Sequence, residues 1–421
     1  METGKKVALI WFNTNLRLRD NESLIRAIAE NDEVIPFYCL QDQHLATTAF
    51  GFKKTGNIRL KFLKESLEQL EEDLREAGSG LVLLNGILEK EVLKLVKKYG
   101  AQSIYAEKAI APEEISLQNR LSEALIPVQG KLKTFESRNL FHTSDLPFPI
   151  MELPDVFTEF RKKTEPLVKV RNIFLKPEKI TSPAIEAINL SFITVNVKSD
   201  PRSVLQFKGG SVSAHQRLQH FLYDNKAILT YKDTRNGMIG ADYSSKFSAW
   251  LAMGCISPKE IYEEVKNFEQ LYEANESTYW LIFELLWRDY FGFCMEKNPH
   301  RYFQKRVDLT SIVGLEKWIE GRTGEPFIDA NMIELKLTGF MSNRGRQNVA
   351  SYLCNDLKID WRYGAAYFEQ QLIDYDVSNN WGNWAYLAGV GNDPRSNRYF
   401  NINKQKMIYD AKGNFQKLWI G

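Results

Sequence analysis

The chain is 421 residues long, 44% hydrophobic and 26% charged, with a net charge of +2. That length exceeds one ordinary domain and makes two the natural expectation. No apolar run approaches the eighteen residues of a membrane-spanning helix, so a soluble protein is expected; the small net charge neither requires nor excludes a nucleic acid, since a groove needs only a local basic rim.

The N-terminus, Met-Glu-Thr-Gly-Lys-Lys, has neither the apolar core of a secretion signal nor the character of a transit segment, and the cytoplasm is the expected compartment. Residues 7 to 12, Val-Ala-Leu-Ile-Trp-Phe, read as a strand buried on both faces, followed by a helix at 21 to 30 and a second strand within 32 to 39. The alternation continues: helix at 59 to 77, strand at 81 to 84, helix at 87 to 99, strand at 103 to 107, helix at 114 to 125, strand at 131 to 136. It predicts a doubly wound α/β domain with a parallel sheet over residues 1–139. The first turn, Asn13 to Asp20, lacks GxGxxG, and no P-loop occurs, which disfavours a dehydrogenase or an NTPase.

Periodicity breaks down after 140, and prolines at 147, 149, 154, 166, 177, 183 and 201 predict an interdomain linker over 140–205. Beyond it the strand signal disappears. A helix opens near 209 with Ser211 or Ser213 as N-cap, and helical patterns recur at 247 to 252, 258 to 266, 277 to 296, 329 to 337, 343 to 356 and 361 to 372, which predicts a helical domain over 206–421. All but one of the nine tryptophans lie beyond residue 249, marking this half as the place for a flat ligand. Cys39, Cys255, Cys294 and Cys354 form no CxxC pair, so they read as buried thiols and no metal site is expected.

Residues 374 to 395 combine Asp374, Asp376 and Asp393 with Asn379, Asn380, Asn383 and Asn392, four aromatics and three glycines, and no helical or strand period sorts them into faces. Such a stretch suits a polar heterocycle held by its edges; the alternative is an Asn/Gly-rich surface loop. Glu284, Trp287 and Arg288 fall at i, i+3 and i+4 of a largely apolar helix, where a carboxylate needs a partner, either Arg288 itself or a ligand. Asn343, Arg344, Arg346 and Gln347 crowd within about a turn and a half. Asp242-Tyr-Ser-Ser-Lys-Phe-Ser248 places three hydroxyls before a helix, as a phosphate site does.

Together with Trp11-Phe12, Leu16-Arg-Leu-Arg-Asp-Asn21, Tyr231-Lys-Asp-Thr-Arg-Asn236, Phe283-Glu-Leu-Leu-Trp-Arg-Asp289, Gly321-Arg-Thr-Gly324 and Thr338 to Ser351, these stretches resemble the photolyase/cryptochrome family, and most closely its cryptochrome-DASH branch. The resemblance implies an α/β antenna domain joined by a long linker to a helical domain that binds FAD non-covalently. It implies that Tyr231, Ser244, Ser245, Lys246, Phe247 and Ser248 hold the phosphates and ribityl chain, and that Arg346, paired with Asp374, lies beside the isoalloxazine. Asp376 and Asn380 would contact the ring, and Glu284, Arg288 and Asn343 complete the cofactor set. Light-excited reduced flavin would pass one electron to a cyclobutane pyrimidine dimer, Glu284 would bond its carbonyls with Asn343 as a second catalytic residue, Trp287 would stack on it, and Arg344, Gln347 and Tyr386 match further pocket positions, with single-stranded DNA the expected substrate.

Photoreduction in the family runs through three tryptophans; Trp384 and Trp361 match two, and the third position is Asp308, with Tyr302 or Tyr386 as substitutes. The glutamate that holds a folate (methenyltetrahydrofolate) antenna falls at Ala109, or Ile110 under another alignment, so folate is not expected. The rival readings are an FAD-binding blue-light receptor that signals without repair and, because arginine-lined grooves with stacking aromatics accept any single strand, an RNA-binding protein. A monomer is expected.

Overall fold

In the computed structural model, residues 5–303, 312–391 and 399–421 are described; the calls on Asp308, Asn392 and Asp393 lie outside them. Five parallel strands, β1 (Val7–Phe12), β2 (Glu33–Leu40), β3 (Val82–Asn85), β4 (Ser103–Glu107) and β5 (Lys131–Phe135), form one sheet in the order β3-β2-β1-β4-β5. Every residue of β1 is buried, which is why its sequence is continuously apolar and does not alternate. Helices α1 (Glu22–Glu30), α2 (Asn57–Glu76), α3 (Leu88–Tyr99) and α4 (Pro112–Leu125) make the crossovers. The strand order reverses between β1 and β4, the point at which such sheets open a crevice beyond their carboxyl ends.

From β5 the chain crosses the surface through α5 (Phe157–Thr164) to the helical half, which begins at α6 (Ser211–Gln219). Neither Ser211 nor Ser213 caps it: Gly210 occupies the N-cap, and Ser211 Oγ instead donates to Asp73 on α2 (2.8 Å), tying the two halves. The core of the second half is built on α7 (Glu276–Lys297), α8 (Pro326–Thr338), α9 (Asn343–Ser351), α10 (Trp361–Gln371) and α11 (Val377–Leu387).

Two expectations about local structure need correction. Residues 377 to 387 are a helix, although their asparagines and glycine carry little helical propensity; α11 forms because Asp376 caps it and because it packs between α7 and α10. The α-helical geometry of α9 stops at Ser351, and 352 to 356 continue as a π-turn. Among the described residues no disulfide forms and no helix is long and apolar enough to cross a membrane; Cys354 is half-buried, unlike the other three thiols.

Candidate functional site

A cavity of about 430 Å³ opens among α7, α9, α11 and the loop before Ser248. Its first end is built by that loop. Ser244, Ser245, Lys246, Phe247 and Ser248 all line it, together with Tyr231, which is buried and hydrogen-bonded to Ser245. Lys246 adopts φ +62°, a conformation that side-chain-bearing residues rarely take, and its Nζ lies 3.0 Å from the centre of the Tyr243 ring while donating to Ser244 Oγ (2.9 Å). The loop is held by Arg217 of α6, which donates to the carbonyls of Ser245 (2.9 Å), Ala241 (3.0 Å) and Ser244 (3.1 Å) and to Asp242 (2.7 Å). Burial, then Arg217, pulls the Lys246 ammonium down to about 6. Hydroxyls, backbone and an amine that a neighbouring phosphate's charge would protonate suit a diphosphate.

The second end is a heterocycle clamp. Arg346 Nη2 donates to both oxygens of Asp374 (3.1 and 2.8 Å), and its Nε donates to the Met341 carbonyl (2.9 Å), so the guanidinium is fixed. Asp376 lines the same end, with its Oδ1 accepting from Asn379 N (2.9 Å), Asn379 Nδ2 (2.8 Å) and Ser378 Oγ (2.8 Å). Asn380 does not line the cavity. It is turned toward α10, donating to the Ala365 carbonyl (2.9 Å), because a helix advances 100° per residue: Asn379 and Asn383 face the cavity, whereas Asn380 and Trp384 face α10. The wall at this point is formed by Asn379 and Asn383.

At the mouth stand Glu284, Trp287, Arg288, Asn343, Gln347 and Tyr386. Glu284 does not pair with Arg288: its Oε1 accepts from Arg235 Nη1 (2.7 Å) and from Trp280 Nε1 (3.1 Å). Burial raises the Glu284 carboxyl above its ordinary range, against the pull of Arg235. Trp287 stacks one face on Phe157 of α5 at 3.7 Å and meets Tyr386 edge-on at 5.9 Å. Arg344 departs from expectation. On α9, Asn343, Arg346 and Gln347 face the cavity, whereas Arg344 lies over the Tyr409 ring (4.6 Å) and bonds Gln347 (2.7 Å) and Asn236 (3.1 Å).

The two tryptophans assigned to photoreduction do not line the cavity. Trp384 is buried against Phe368 (5.0 Å) and Trp318 (6.3 Å), above Gly364, and Trp361 meets Trp381 edge-on at 5.9 Å. Arg235 and Trp280, which bond Glu284, and Arg217, which holds the Ser244–Ser248 loop, were not singled out from the sequence; each acts through a partner on another element or a neighbouring turn. On the α/β side a second cavity, about 580 Å³, is lined by Arg59, Glu114, Glu369, Tyr375 and Trp381 among others. Ala109 is not among them; its N–H donates to Gln118 (3.1 Å).

Fold and site together define an α/β-plus-helical flavoprotein. Residues 8–181 match the family model described as DNA photolyase, and 280–421 match that described as the FAD binding domain of DNA photolyase. A protein named Cryptochrome DASH from Synechocystis sp. is 45% identical over 98% of this chain and 87% of its own length. The crystal structure of Synechocystis sp. PCC6803 cryptochrome superposes with a TM-score of 0.95 at 44% identity, covering 100% of this chain and 89% of that one. A bacterial class III photolyase from Agrobacterium tumefaciens gives 0.86 at 25% identity over 100% and 87%. The chain belongs to the photolyase/cryptochrome family, beside its cryptochrome-DASH branch, and its helical half is an FAD-binding domain.

Proposed function

We propose that the protein is a light-driven lyase of cyclobutane pyrimidine dimers that favours single-stranded DNA. The observation that carries this reading is that Glu284 and Trp287 open onto the same cavity as the Ser244–Ser248 loop and the Arg346–Asp374 clamp. The donor set fits FAD: hydroxyls and Lys246 at one end for a diphosphate, and Arg346, Asp374, Asn379 and Asn383 at the other for the edges of a tricyclic ring. Reduced FAD, when bound, supplies the light-driven electron.

The residues of the chain do the rest. Glu284 stands half-buried beside Arg235, so that a carbonyl of an extruded base gaining negative charge meets the Arg235 cation and the aimed Glu284 carboxyl group at the same wall. Trp287, held by Phe157 and Phe291, lines the cavity as an aromatic surface for a base, and Tyr386 meets it edge-on. Extruding a dimer costs less from a single strand, which is already unstacked. FAD with little or no folate is the expected chromophore content, since Ala109 carries no carboxylate.

The test is to extract and identify the chromophores, then illuminate the reduced protein with dimer-containing oligonucleotides, single- and double-stranded, and count remaining dimers. Loss of dimers, faster in single strands, supports the reading. A protein that binds FAD and leaves all dimers intact is instead a photoreceptor that signals without repair.

A further inference from the structure

A wall residue of the main cavity, Asp376, is bonded from behind by a residue of the other half of the molecule. Arg138 follows β5, three residues past its end, and it lines not the main cavity but a small one of about 100 Å³ behind it, at the carboxyl ends of the strands. From there its guanidinium pairs with Asp376 Oδ2 and donates to Ser378 Oγ (2.8 Å), both on the first turn of α11. Since Asp376 Oδ1 is already taken by Asn379 and Ser378, Arg138 completes the bonding of this carboxylate.

The same residue acts on a second wall. Its main-chain carbonyl accepts from Arg288 Nη1 (2.5 Å), and the neighbouring N–H groups of Leu140 and Phe141 donate to Asp289 (2.9 and 2.8 Å), so residues 138 to 141 are sewn to the middle of α7. Arg288 lines the main cavity and has no carboxylate in ion-pair contact among the described residues. One residue of the α/β domain thus neutralises the anion on one wall and orients the cation on another.

We infer that Arg138 is a positioning residue of the cofactor site, through which the α/β domain sets the electrostatics around the flavin ring; this rests on the flavin reading above. The side chain does not line the main cavity. Its effect is carried by Asp376 and Arg288. Removing it takes the nearest counter-charge from a carboxylate on the cavity wall, beside which Arg288 remains, and so opposes the extra electron density of a reduced ring; removing the carboxylate instead takes a negative charge off that wall and favours it, with Glu107 and Glu114 still facing Arg138.

The experiment is spectroelectrochemical titration of FAD in the full-length protein and in Arg138→Met, Asp376→Asn and the double variant, with FAD affinity by fluorescence titration. Arg138→Met is expected to lower the midpoint potential and to weaken FAD binding by about tenfold or more. Asp376→Asn, which keeps a capping side chain, is expected to raise the potential, and the double variant to return toward the parent. Opposite signs from the two singles are not what a purely structural contact would give. Potentials unchanged, or moved the same way, would overturn the inference. Where Arg138→Met does not fold, Arg138→Lys and Asp376→Asn decide: a parental potential in the first with a raised one in the second supports it, and an unmoved Asp376→Asn rejects it. Failure of the parent protein to bind FAD would reject the flavin reading itself.

Discussion

Arg235 and Glu284, on elements 49 positions apart in the chain, meet at 2.7 Å at the mouth of the main cavity, and Trp280 donates to the same carboxylate oxygen at 3.1 Å. The carboxylate is thereby aimed and its charge balanced. Glu284→Gln keeps the shape and removes the charge, so dimer loss per absorbed photon is expected to fall severalfold while FAD stays bound. Quantum yield on a dimer-containing single strand, with the flavin absorbance as control, checks it; an unaltered yield removes Glu284 from the reaction.

Arg346 and Asp374 form an ion pair at 2.8 Å at the clamp end of the cavity. Breaking one partner of such a pair leaves the other uncompensated at a cost of about 3–5 kcal/mol when it is buried. Asp374→Ala is expected to reach the eluate largely colourless, and the ratio of flavin to protein absorbance measures this directly.

Gly364 stands where α10 passes under the Trp384 ring: a Cβ there would lie 2.2 Å from the ring edge and 2.7 Å from Leu353. Gly364→Ala is expected to lower stability by about 1–3 kcal/mol, as overpacking does, and to displace Trp384. Thermal unfolding measures the first effect. Slower photoreduction of bound flavin under blue light, also expected of Trp384→Phe and Trp361→Phe, measures the second.

Glu334 of α8 is 1% exposed, and neither carboxyl oxygen has a hydrogen-bond partner. Burial pushes it up to about 8, with Lys246 and Arg346 opposing. Between the ordinary 4.5 and about 8 the unfolded chain has lost this proton and the native protein keeps it, so the contribution of Glu334 to stability falls as pH rises through that window. Glu334→Gln is expected to raise the melting temperature by a few degrees at pH 8 and by little at pH 5. An equal gain at both would show that the ionisation is not involved.

The alternation of strands and helices in the first half, the linker and the helical second half were legible because each rests on local periodicity, and the sheet residues that looked apolar on both faces are buried on both. The Ser244–Ser248 loop and Glu284, Asn343 and Arg346, singled out by helix spacing and residue chemistry, do line one cavity. What the sequence alone could not decide is direction and partnership. Asn380 and Arg344 share their stretches with true wall residues, yet one further step of 100° turns them toward Ala365 and Tyr409. The helix at 377 to 387 lacks propensity and exists through its cap and its neighbours. Arg138 with Asp376, 238 positions apart, and Arg235 with Glu284 are pairs that form only when the packed core brings distant segments together, because an ion pair has no periodicity of its own to leave in the chain.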